Sequence, residues 1–146
     1  MTVHLVKLCV GIERLQDLRA WQAKRLDDLA RAGRVPELRH KTKQMPRRKD
    51  EVLDGGSLYW VIKGFVSARQ RVVDLNETVR EDGSPCCGIV LDPAIIETRP
   101  HPRRPFQGWR YLEPDETPPD LAVADDSIAD MPPGMREELR ALRLID

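Results

Sequence analysis

The chain has 146 residues, 40% hydrophobic, 33% charged and only 5% aromatic, a size and balance that suit one globular domain with its own core. No run of 18 apolar residues occurs, which excludes a membrane-spanning helix, and the opening MTVHLVKLCVGIERL carries no basic leader, so no signal peptide is expected. Twenty-four Lys and Arg balance twenty-four Asp and Glu, yet residues 113–146 hold ten acids against three arginines, so a body of residues 1–112 at +7 faces a segment at −7; such a split signals either an anionic partner or a tail that neutralises its own body.

In chain order, TVHLVKLCV reads as an inner strand that buries Val3, Leu5, Val6 and Leu8. From Ile12 to Ala32 the apolar residues Ile12, Leu15, Leu18, Trp21, Leu26 and Leu29 mostly recur every three positions. That predicts a helix with Trp21 in the core, and Gly33 as its left-handed stop. Residues 34–50, RVPELRHKTKQMPRRKD, hold seven Lys or Arg plus His40. Their middle predicts a strand with Arg39, Lys41 and Lys43 on one charged face, ended by Pro46, and a short helical turn then closes at Gly55 and Gly56.

SLYWVIKG and FVSARQRVVDL form two β-rich runs bent at Gly64. Alternation places Leu58, Trp60, Ile62, Val66, Ala68 and Val72 in the core, with Gln70 on that inner face. Arg69 and Arg71 stand on the outer face, about 7 Å apart, close to the spacing of successive phosphates along a nucleic-acid strand. EDGSP turns the chain back into the strand CCGIVL. Residues 92–120 are proline-rich and expected to be irregular, except for a last strand at GWRYL, and MPPGMREELRALRLID ends the chain as a short amphipathic helix. The fold class that follows is α+β, a small, mostly antiparallel, barrel-like sheet flanked by an N-terminal and a C-terminal helix. Residues 1–112 form the basic core, and the acidic, Pro-rich residues 113–146 belong to the same domain.

RPHPRRPFQGWRYL (99–112) sets arginines among three aromatic rings without a single acid. Arginine forks suit phosphate and flat rings suit base stacking; Phe106 and Trp109 could equally anchor a long loop on the core. The candidate ligand-binding residues are therefore Lys63, Arg69, Gln70, Arg71, Arg103, Arg104, Phe106, Trp109, Arg110 and Tyr111. They imply non-catalytic binding of RNA or a nucleotide-like anion. The alternatives are a protein-interaction module that uses the acidic C-terminal segment, and a small enzyme acting on a nucleotide or small acid. His4, His40 and His101 lack metal-ligand spacing, and Cys9, Cys86 and Cys87 are odd in number without CxxC spacing. No metal, cofactor or disulfide framework is expected, and a reducing cytoplasm is. No nucleophile elbow, Walker loop or GxGxxG occurs.

GGSLYWVIKG, ARQR, LDP and RPFQGWRYL together resemble a short bacterial family described as domain of unknown function 1489, over nearly the whole chain. That resemblance implies a self-contained domain and no established activity. The element order is also similar to PUA-like barrels, including ASCH and EVE domains; this fold-level likeness implies ligands of the RNA or modified-nucleotide class.

Overall fold

A computed structural model describes residues 2–121; the expected C-terminal helix lies outside them. The elements are β1 (His4–Leu8), α1 (Leu15–Arg31), β2 (Leu38–Thr42), α2 (Lys49–Leu53), β3 (Ser57–Ile62), β4 (Phe65–Val79), β5 (Pro85–Leu91), β6 (Ile96–Pro102), β7 (Trp109–Leu112) and a 3₁₀ turn at Pro114–Glu116. The seven strands form one mixed sheet in the order β2-β5-β4-β3-β1-β7, with β6 also on β4. β1 runs parallel to β3, and every other ladder is antiparallel. The architecture is α+β, with no helix among the described residues long and apolar enough to cross a membrane.

The sheet curls without closing. β4 is fifteen residues long and serves two ladders: its first half pairs with β3 and β6, its second with β5. Register shifts at Trp60/Val61, Val66/Ala68 and Val72/Asp74 mark the irregularities that bend such long strands. The sheet path therefore ends at β2 and β7 with no ladder between them. Across that seam the Trp109 indole N–H donates to the Gln44 carbonyl at 2.8 Å.

β3 is buried on both faces because two clusters sandwich it. Leu5, Leu18, Val52, Leu58, Trp60, Leu75 and Ile89 belong to the larger cluster, and Val6, Tyr59, Val61, Val66 and Leu112 form the smaller. Burying each such side chain contributes about 1.5–3 kcal/mol. The bend expected at Gly64 is a two-residue hairpin, with Lys63 at φ 50° and Gly64 at φ 81°, the left-handed pair that a tight turn of this hand requires.

Two expectations are corrected. Trp21 is 57% exposed, and Gln22 is buried in its place. An α-helix turns every 3.6 residues, so a three-residue spacing drifts off the buried face; Leu15, Leu18, Gln22 and Leu26 keep the true period. Residues 96–102, expected to be irregular, form β6. Among the described residues, apart from one bridge, Thr98 to Asp120, β6 pairs with β4 alone, and an edge strand tolerates Pro100 and Pro102 because their missing N–H groups break few ladder bonds.

Gly56 sits where the backbone leaves no room for a side chain. A Cβ there would collide with the Val3 and Val52 carbonyl oxygens, while its own N–H and C=O bond Val52 and Val72. Gly56→Ala is expected to destabilise the protein by about 2 kcal/mol, since backbone on both sides must shift; urea unfolding midpoints measure it.

Candidate functional site

The ten sequence-derived site residues do not share one surface. Gln70 is 0% exposed. Its amide accepts from Trp60 Nε1 at 2.9 Å, exchanges two 2.8 Å bonds with Gln22, and donates to the Asp92 carbonyl at 3.0 Å. Arg69 spends its whole fork internally: Nε and Nη2 donate to the Asp120 carboxylate at 2.8 and 2.6 Å, and Nη1 donates to Ser57 Oγ at 2.8 Å. The Asp120 bond is the main reason its pKa is raised. Lys63 sits at the exposed β3–β4 hairpin tip, 3.8 Å from Glu13. Arg71 and Arg104 are exposed.

β7 divides the rest. Arg110 pairs with Val6 and lies over the Phe106 ring at 5.6 Å, with Arg103 over the same ring at 5.4 Å; this trio packs on the smaller cluster's face. Trp109 and Tyr111 point to the other face, edge-to-face at 4.9 Å. There the Tyr111 hydroxyl accepts from the Arg48 backbone N–H at 3.0 Å. The Arg48 guanidinium, 5.4 Å from the Tyr111 ring centroid, also binds Glu51 and Glu113, which raises its pKa.

A different set of residues converges at the open seam. Lys7 from β1, His40, Lys41 and Thr42 from β2, Lys43 and Gln44 after it, Arg80 from the β4–β5 turn, and Gln107, Gly108 and Trp109 line a groove of about 500 Å³. At Gln44 and Trp109 the groove continues into a hollow of about 610 Å³ with Arg47, Arg48 and Tyr111. At Lys7 and His40 it meets a chamber of about 330 Å³ walled by Trp60, Leu18, Leu38 and Leu91, with Trp21, Arg25 and Arg39 among its lining residues. Among the described residues not one acid lines any of the three, in a chain where acids equal bases. Arg39 and Arg48 are answered by carboxylates outside the lining. Lys7, Arg25, Lys41, Lys43, Arg47 and Arg80 have no ion pair among the described residues.

Electrostatics bear the imprint of this crowding. Burial lowers the Lys7 pKa, and the Arg80 charge lowers it further. Burial, then the Lys7 charge, pushes the His40 pKa down to about 4. Converging like charges beside a low-dielectric wall concentrate positive potential there. The signal was present in the sequence as the basic run at 34–50; what no local pattern showed is that β2 ends opposite β1 and β7.

The depressed His40 pKa has a thermodynamic consequence. Between its ordinary value of 6.5 and about 4, the unfolded chain binds the proton and the folded one does not. This contribution is therefore complete above pH 6.5 and is lost as pH falls toward 4, amounting to about 3 kcal/mol. His4 is lowered in the same sense, so the assignment rests on a difference: His40→Phe, which keeps a ring against Trp60, is expected to flatten the fall in urea-measured stability between pH 7 and 4.5.

The site and fold define an α+β protein with an open mixed sheet and a basic, ring-lined track along its seam. A family model described as "Protein of unknown function (DUF1489)" matches residues 5–145, so the chain belongs to that family. No curated protein and no solved structure matches it.

Proposed function

We propose that the protein binds single-stranded RNA along the seam track, without catalysing a reaction on it. The observation that carries this is that, among the described residues, three adjoining hollows are lined without an acid and six of their basic side chains have no ion pair, with Trp109 shared between two of the hollows. Cations in a line suit a phosphate backbone, and partly exposed rings beside them suit bases. The Arg103–Phe106–Arg110 trio on the opposite face extends the basic surface, while Arg69 and Gln70 support the fold instead of the ligand. The likeness to PUA-like barrels read from the element order is in keeping with this reading and weighs less than the residues.

The acidic segment serves its own fold as far as it is described. Asp120 clamps Arg69, and Leu121 is buried, which favours self-contact over a protein partner. An enzyme built around Lys63 would need it in a deep pocket beside a buried acid, whereas Lys63 and Glu13 are both exposed.

The test is titration with octauridylate at 50 and 200 mM salt. If the strand neutralises about four cations, log K falls with a slope of about −3 and affinity drops by roughly 60-fold between the two. No binding at 50 mM, or affinity indifferent to salt, would overturn the reading.

A further inference from the structure

We propose that the chamber beside His40 receives one unstacked nucleobase of the bound strand, with His40 Nε2 meeting its polar edge. This rests on the seam reading and adds to it a base-binding seat. The volume, about 330 Å³, falls at the lower end of the range for small-ligand pockets. Its walls are the kind that take a flat ring: Trp60 and His40 stand edge-to-face at 5.3 Å, over the aliphatic Leu18, Leu38 and Leu91.

One polar atom among the lining residues stands out. The Trp60 indole N–H and the Gln22 amide are consumed by Gln70. His40 Nε2 has almost no accessible surface and no hydrogen-bond partner among the described residues; a buried nitrogen left unpaired is costly unless a ligand satisfies it, and a small turn of the imidazole would present it to the chamber. A neutral imidazole offers either a lone pair or an N–H, according to which nitrogen holds its proton, so it can meet a donor or an acceptor on a base. A lipid chain would leave that atom unsatisfied. Trp21 adds an independent observation, since this large ring on α1 stays 57% exposed and lines the chamber. Lys7 and His40 belong to both chamber and groove, which sets a base seat next to a phosphate seat, the connectivity of a nucleotide.

The experiment compares octauridylate with an abasic octamer carrying the same number of phosphates, both against the full chain at 50 mM salt, and adds uridine alone while following tryptophan fluorescence. The abasic strand is expected to bind at least tenfold more weakly with the same salt slope, and uridine to quench saturably with little salt dependence. Trp21→Ala, a change in the chamber and outside the groove, is expected to weaken octauridylate three- to tenfold and leave the abasic strand unaffected, while His40→Phe is expected to weaken octauridylate more than it weakens the abasic strand. Equal binding of both strands, with a salt slope and no uridine effect, overturns the base seat while the seam reading stands. Saturable uridine quenching without salt-dependent strand binding keeps the base seat and overturns the strand reading. If neither strand nor uridine binds, both fall.

Discussion

Replacing Gln70 with alanine is expected to lower stability by about 4 kcal/mol, a large share of the 5–15 kcal/mol typical of a folded domain. The side chain has no exposed surface and makes four hydrogen bonds, to the Trp60 indole, both ends of the Gln22 amide and the Asp92 carbonyl. Its removal leaves those groups buried without partners, at about 1–3 kcal/mol for each that stays dry. Water entering the vacated space recovers part of this, because the site is polar and roomy enough to hold it. Pairing Gln70→Ala with Gln22→Leu should be less harmful than the two single costs summed, since the second change deletes stranded groups. A loss below 1 kcal/mol in urea unfolding would show that this network does not hold α1 to the sheet. The consequence reaches the site, because Trp60, whose indole orientation Gln70 fixes, is a wall of the chamber.

The fold was legible wherever local periodicity carried it. Alternation through β3 and β4 picked out buried residues from Leu58 to Val72, although Val66 joins the smaller cluster with Tyr59 and Val61, and Gln70 was read onto the inner face. Its chemistry then suggested a ligand role that its position forbids. The three-residue stripe put Trp21 inside because a spacing of three and a period of 3.6 agree over one turn and diverge over two. β6 escaped notice because prolines mark loops by default and edge strands only in context.

The site was less legible, for reasons of range. Residues 99–112 look like one surface when written in a line. A strand, though, sends neighbours to opposite faces, so Arg110 joins Phe106 while Trp109 and Tyr111 join Arg48 across the sheet. Arg69 gave no hint of being taken, because its carboxylate lies 51 residues further along the chain. The basic run at 34–50 was plain in the sequence. Its meaning depended on β1, the β4–β5 turn and the β6–β7 loop meeting at the seam, and such long-range pairings have no local signature.

Reversing two charges in the seam is expected to have the largest effect on binding. Lys41 and Lys43 are exposed and lie two residues apart along the groove, so the pair K41E and K43E changes the local charge by four without touching the core. At 50 mM salt, octauridylate affinity is expected to fall about 100-fold, and the salt slope to lose about 1.4, since each phosphate contact removed subtracts about 0.7 for a single strand. Lys41 Nζ also donates to the Val79 carbonyl at 2.9 Å, but an exposed bond of that kind contributes little to stability, so the variant should unfold within about 1 kcal/mol of the parent. The control carries the same net charge elsewhere: K24E with R34E, both exposed and outside the three hollows. If location governs, the control binds within about threefold of the parent, because exposed charges outside the lining act on the strand only through salt-screened solvent. Should both double variants lose affinity equally, total charge and not the seam would be responsible, and the track would have no claim to be the binding site.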